Sequence, residues 1–187
     1  MTMGTSVVVP PVQAAARLKI ISMGDSGVGK SCLIKRYCED KFVSKHVATI
    51  GIDFGVKPVT IDGAGQARVN FFDFAGGAEY LEIRNEFYKD AQGVLLVFDV
   101  ASAKSLEALG GWLKEGGQAG MAKPALVLCG NKTDSAKSKR EVSEADARRW
   151  AGAHGGMAYF ETSAKEGDNV ARAFDKLFAE AATRGFK

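Results

Sequence analysis

GDSGVGKS, residues 24–31, matches G-x-x-x-x-G-K-[ST] and stands where such a loop can hold an anion, after the apolar run LKIISM and before a segment of helical period. Gly24, Gly27 and Gly29 let backbone N–H groups turn inward around a phosphate, a helix start adds its positive end, and Lys30 adds a full charge. Ser31 offers its hydroxyl to Mg²⁺. The phosphates of a nucleotide would be met by Asp25, Ser26, Gly27, Val28, Gly29, Lys30, Ser31 and Cys32, and Lys30 is also placed to stabilise charge in phosphoryl transfer. The bland alternative is a glycine-rich turn that fits by chance, which the strand, loop and helix context disfavours. The pattern points to a nucleotide and leaves its base open.

Two later stretches bear on the base. NKTD, residues 131–134, follows the apolar run PALVLCG and supplies a carboxylate, Asp134, that can accept both N–H groups of a guanine edge; adenine has no matching pair of donors. Asn131 can tie this loop to the phosphate loop, and the stem of Lys132 can lie along the flat face of a base. ETSAK, residues 161–165, follows MAYF, so the Ala164 N–H can meet the guanine carbonyl while Ser163 and Lys165 support the loop. Alone, NKTD is no different from a polar turn before a helix. Three loops in this order, each at the C-terminal end of an expected strand, form a joint signal.

FFDFAGGAEY, residues 71–80, is harder to read. An aromatic strand runs into Asp73 and then a Gly-Gly pair, which is either an ordinary turn or a catalytic loop lacking one side chain.

The elements that must position these loops follow from hydrophobic period. LKIISMG, GVLLVFDV, PALVLCGNK and MAYFET are short apolar runs, the middle two continuous enough for strands covered on both faces. IDFGVKPVT and ARVNFFDF flank IDGAGQ, whose Asp62-Gly63 pair suits a tight reversal, so an antiparallel hairpin is expected, with Pro58 confining its first strand to an edge. Helical period marks KSCLIKRYCEDKF, AEYLEIRNEFYKD, AKSLEALGGWLKEG, SEADARRWAGAH and NVARAFDKLFAEAA. Strands alternating with helices predict one doubly wound α/β domain: a six-stranded, mostly parallel sheet with one antiparallel edge strand and about five helices on both faces. Trp112 and Trp150 fall on helical faces beside Leu109, Leu113 and Ala147 and are expected to pack in the core, whereas His154 is expected at the surface.

Composition sets the class. A chain of 187 residues suffices for one domain, and 46% hydrophobic with 25% charged residues is ordinary for a globular protein. A net charge of +3 without a basic block gives no indication of nucleic acid as a partner. Cys32, Cys38 and Cys129 lack metal-ligand spacing and suit free thiols in a reducing compartment. Residues 1–16 are expected to be a disordered tail, 17–183 the domain, and 184–187 a C-terminal tail. No apolar run reaches the ~20 residues of a membrane span. No cysteine lies near the C-terminus for prenylation, and Gly4 follows Met1-Thr2-Met3, so no direct membrane anchor is expected.

Across residues 17–183 these motifs, with TIGIDFG at 49–55, resemble the Ras-like small GTPases and most closely their Rab branch. SCLIKRYCEDKFVSKHVATIGIDFGV and NEFYKDAQGVLLVFDV are more similar still to Rab-like GTPases joined to a DnaJ module, the RJL family. No J domain follows, so the expectation is either the GTPase part of a longer chain or a shorter relative. By resemblance, Thr49 binds Mg²⁺ and the γ-phosphate, Phe42 packs on the guanine, Gly76 donates its N–H to the γ-phosphate, and Asp73 holds the metal through water. Most of that superfamily ends this strand D-x-A-G-Q, with the glutamine orienting the attacking water. Here Gly77 takes its place, so the resemblance implies a catalytic loop without its water-positioning side chain. Phe74 and Phe72, in place of a threonine and a tryptophan, read as repacking. His46 is either a cover over the phosphates or a solvated loop residue, and Glu79 near a γ-phosphate is poor chemistry for positioning water.

The expected function is therefore a Mg²⁺-dependent GTP/GDP switch with very slow intrinsic hydrolysis. The alternative is an interaction module that stays GTP-bound with no hydrolytic cycle. A P-loop kinase or ATPase is disfavoured by NKTD and ETSAK. The resemblance implies effector, exchange-factor and activating proteins acting through the switch loops, a monomer, and a place in the cytoplasm or nucleus.

Overall fold

The computed structural model describes residues 16–44, 47–135 and 137–186. His46 and nearly all of the expected N-terminal tail lie outside the described residues. The strands are β1 (Ala16–Met23), β2 (Ile52–Ile61), β3 (Gly65–Phe74), β4 (Gly93–Asp99), β5 (Ala125–Asn131) and β6 (Ala158–Glu161). The helices are α1 (Lys30–Glu39), α2 (Leu81–Tyr88), α3 (Ala103–Gln118), α4 (Glu144–Ala153) and α5 (Val170–Ala182), and a 3-10 turn at Ala78–Tyr80 leads into α2.

The sheet order is β2-β3-β1-β4-β5-β6, with β2 antiparallel to β3 and every other pair parallel. This is the expected six-stranded α/β architecture. Pro58 sits on the edge strand β2, where a missing N–H costs no ladder bond on the open side. The hairpin strands are longer than expected, because pairing runs from Ile61 opposite Gly65 and leaves only Asp62–Ala64 to turn. Gly63 and Gly65 take φ of +73° and +82° there. Helix α1 stops three residues short of its apolar pattern: Asp40 turns left-handed at φ 52° and returns its N–H to the Arg36 carbonyl.

Alternation along β1 sends Leu18 and Ile20 to one face of the sheet and Ile21 and Met23 to the other. The first face packs on α1 and α5 through Phe71, Phe174, Leu177 and Phe178. The second packs on α2, α3 and α4 through Phe74, Tyr88, Leu109, Trp112 and Ala147. Phe74 is fully buried and meets Tyr88 edge-on at 5.2 Å, as repacking requires. Phe72 instead lies between Phe54 and Phe87. Phe186 rests against the first cluster, and Gln92 donates its amide to the Gly185 carbonyl, so residues 184–186 run along the domain.

Because β1, β3, β4, β5 and β6 are parallel, the segments leaving them emerge at one edge of the sheet. The loops beginning at residues 24, 75, 132 and 162 are thereby gathered together.

Candidate functional site

Those loops surround a cavity of about 480 Å³. Of the residues singled out above, Ser26, Gly27, Gly29, Lys30, Ser31, Cys32, Phe42, Thr49, Asp73, Gly76, Asn131, Lys132, Asp134, Ala164 and Lys165 line it. Asp25, Val28, Gly77 and Ser163 are not part of that lining. Val28 is buried in the core, and Ser163 supports Asp134 from below.

The phosphate loop is shaped by its glycines. Gly24, Gly27 and Gly29 have φ of +141°, +80° and +103°, and a β-carbon on Gly29 would overlap the Asn131 amide. Helix α1 starts immediately afterwards with no acidic residue in its first turn, leaving its N–H groups directed at the cavity. Lys30 is 5% exposed and donates to the carbonyls of Gly24 at 2.6 Å and Asp25 at 3.0 Å. Burial lowers its pKa to about 8, partly opposed by the charges of Asp73 and Asp25.

Three oxygen-bearing side chains meet beside Lys30. The Ser31 and Thr49 hydroxyls are 2.9 Å apart, Ser31 donates a short hydrogen bond to one Asp73 carboxylate oxygen, and Thr49 lies 3.4 Å from that same oxygen. Burial pushes the Asp73 carboxyl up from its ordinary range, against the hydroxyls of Ser22 and Ser31 and the charge of Lys30, which favour the ionised form. Two hydroxyls and a carboxylate are hard oxygen donors of the kind that suits Mg²⁺. The donor set fits a small divalent cation, whose charge would offset that of the buried carboxylate.

At the opposite end, Asn131 joins three segments. Its amide N–H donates to the Val28 carbonyl at 2.9 Å, and its oxygen accepts from the Ala164 N–H at 3.2 Å and the Thr162 hydroxyl at 3.3 Å. The Ala164 N–H, expected to face a base, is thus engaged by Asn131. Ser163 donates to Asp134 at 2.7 Å, leaving the carboxylate's other oxygen toward solvent, and Lys132 pairs with Asp99 at 2.7 Å.

Several residues here have no place in the motifs. Ser22 donates to Asp73 at 2.6 Å and accepts the Phe74 N–H at 3.2 Å, fixing the carboxylate on β3; its signal was one serine set among the apolar residues that end β1. Arg36 donates to the carbonyls of Ala164 at 2.8 Å and Lys165 at 2.6 Å, holding the ETSAK loop from α1. Trp112 packs in the core as expected, yet its indole N–H reaches the Asp25 carboxylate at 2.9 Å. Arg84 is 2% exposed and lies beneath the loop after β3. A charge in that segment looks like a solvated helix face until α3 is packed on it.

Gly77, where the resemblance places a missing glutamine, has φ −77° and ψ 146°, a conformation open to any residue. A β-carbon there would meet the carboxylate of Glu79, whose side chain is solvent-exposed and free to shift.

The Ras family model matches residues 19–183. Similar curated proteins include DnaJ homolog subfamily C member 27 of Danio rerio, 48% identical over 168 residues, which make up 87% of this chain and 60% of the relative. The protein of that name in Homo sapiens is 48% identical over 167 residues, with the same two shares, 87% and 60%. Member 27-A of Xenopus laevis is 47% identical over 170 residues, 88% of this chain and 61% of the relative. The chain therefore spans about 60% of the length of these relatives, and their names agree with the expected likeness to DnaJ-linked GTPases. With the family match running from β1 through α5, the chain belongs to the Ras family.

Proposed function

We propose that the chain is a guanine-nucleotide switch that binds GTP and GDP with Mg²⁺ and hydrolyses GTP very slowly. The observation that supports this reading is Asn131, a single buried side chain whose three hydrogen bonds join the phosphate loop, NKTD and ETSAK into one cradle. A phosphate site alone would serve any nucleotide. Joined to Asp134 it becomes selective, because a carboxylate that accepts both N–H groups of a guanine edge finds no such pair of donors on adenine.

In this reading Lys30 and the N–H groups of residues 26–32 bind the phosphates, and Ser31 and Thr49 ligate the metal, with Asp73 acting on it through water. When bound, Mg²⁺ would supply positive charge that offsets charge developing in phosphoryl transfer. Gly76 faces the phosphate loop so closely that a β-carbon would overlap the Ser26 nitrogen, an approach that supports a contact from its N–H to a terminal phosphate. Gly77 offers no group to orient water, so Lys30 is left to stabilise the charge of phosphoryl transfer without a water-positioning partner. Exposed Val47, Ile50, Phe54, Leu81 and Ile83 form the apolar surface through which effector, exchange-factor and activating proteins act.

A second reading, GTP retained as a structural ligand with no cycle, is favoured by the same Gly77. Nucleotide released from freshly purified protein and identified by ion-exchange chromatography separates the two. GDP, or a mixture that turns over on incubation, supports the switch; unchanging GTP supports the module. Equal affinity for ADP and GDP would remove both.

A further inference from the structure

Arg84 is a charged side chain buried where the phosphate site has no direct use for it. Its guanidinium donates to the carbonyls of Ala75 at 3.1 Å and Gly77 at 2.5 Å, the two residues flanking Gly76. Its other edge makes a two-point pair with Glu115 of α3, at 2.8 and 3.0 Å. Tyr88 donates to the same carboxylate at 2.6 Å. The guanidinium lies 4.4 Å over the ring of Trp112, whose N–H is bonded to Asp25 of the phosphate loop. Burial works against the charge of Arg84, but its hydrogen bonds and attraction to Glu115 outweigh that and keep it ionised.

We infer that Arg84 is a positioning residue that latches the 75–77 loop onto the phosphate loop whatever nucleotide is bound. The inference rests on the switch reading above. In a switch of this kind the loop is ordered by contact with the terminal phosphate and released when that phosphate leaves. Here Gly76 would gain one N–H contact from that phosphate, whereas Arg84 already holds the carbonyls on both sides of it with charge-assisted bonds. A ligand shifts a two-state equilibrium only by its differential affinity for the two states, so a loop held closed from behind responds little to one added contact. Glu115 accepts from the Nε and Nη2 of the guanidinium, Tyr88 holds Glu115 through its hydroxyl, and Trp112 stacks on the guanidinium plane, so the holding groups are themselves fixed largely by α3. The γ-phosphate signal in this chain then falls on the other loop, around Thr49, which is bordered by exposed Ala48 and Ile50.

Hydrogen exchange on peptides spanning residues 74–84 tests this, with the protein loaded with GDP or with a non-hydrolysable GTP analogue. Native protein is expected to exchange there at rates within about threefold in the two states. Arg84→Met keeps the stacking on Trp112 but removes the donors, and is expected to speed exchange in the GDP state by roughly 10- to 100-fold, the scale of one lost charge-assisted bond. Peptides covering 131–134 and 161–165 should stay unchanged, which a general loss of structure would not allow. Glu115→Gln, which keeps the shape of α3, should move the same peptides in the same direction by less, and it decides the matter should Arg84→Met fail to fold. A native GDP state that exchanges tenfold or more faster than the analogue state overturns the latch, as does a variant that leaves the GDP-state rate unchanged. A protein that takes up no guanine nucleotide would remove the switch reading instead, and the native-to-variant comparison on nucleotide-free protein would still decide the latch by the same criterion.

Discussion

The two ends of the cavity are built differently. Where NKTD and ETSAK meet, Asn131, Thr162 and Ser163 are at most 1% exposed, and Arg36 and Asp99 brace the loops from neighbouring elements. At the other end Thr49 is bordered by Val47 and Ile50, 73% and 81% exposed, and the 75–77 loop is held chiefly through Arg84. One end is a preformed cradle of short-range bonds, and the other sets exposed apolar surface over a single buried ion pair. In the switch reading proposed above, recognition of a base needs fixed donors and acceptors, whereas the exposed segment around Thr49 needs groups whose order can change.

The largest test of this contrast is Asp134→Asn. If the cradle reads guanine, the variant should lose about 10⁴-fold or more in affinity for GDP and gain a preference for xanthine nucleotides, measured by competition with a fluorescent nucleotide. Next comes Asn131→Ala, which leaves the Val28 carbonyl and the Ala164 N–H without their partner. Such orphaned groups should lower unfolding free energy by about 2–4 kcal/mol in urea titration of the nucleotide-free protein. A loss no greater than that of an exposed polar residue would mean the base end is not preformed.

At the switch end, Gly77→Gln should raise single-turnover GTP cleavage by about tenfold, equivalent to ~1.4 kcal/mol of barrier. The backbone at 77 accepts glutamine, and only the exposed Glu79 carboxylate must move. Native cleavage as fast as in a glutamine-bearing relative under the same conditions would mean another group positions the water. The smallest effect concerns α3, which carries Trp112 and Glu115 between two Gly-Gly pairs. A β-carbon on Gly110, Gly111 or Gly117 meets nothing within 4 Å, so alanine at each should add about 0.5–1 kcal/mol to stability by thermal unfolding. Gly116→Ala should not, because its β-carbon would press on Met121 and Tyr88.

Most of the fold could be read directly from residue order. The continuous apolar runs at 93–100 and 124–132 became central parallel strands, and the Asp-Gly pair at 62–63 became the hairpin turn, because period and turn chemistry are local properties. Element ends were less clear. Apolar spacing carried α1 to Phe42, but a left-handed Asp40 ended it sooner, and the helix after Gly77 opens with a 3-10 turn before Leu81.

The phosphate loop, NKTD, ETSAK and the aspartate after FF are contiguous strings whose chemistry survives without knowledge of their neighbours, so residue order alone specified which groups could form a nucleotide site. It also specified the absence of a side chain at Gly77. The partners that hold those strings in place were set by folding: Ser22 on Asp73, Arg36 on Ala164, Trp112 on Asp25, and Glu115 on Arg84, 31 to 128 positions apart in the chain. No local pattern marks such pairs, since a buried arginine and a solvated one look alike until another helix covers it. A buried charge must find its counter-charge wherever the packed layers bring one, and that depends on how α2 and α3 lie across the sheet.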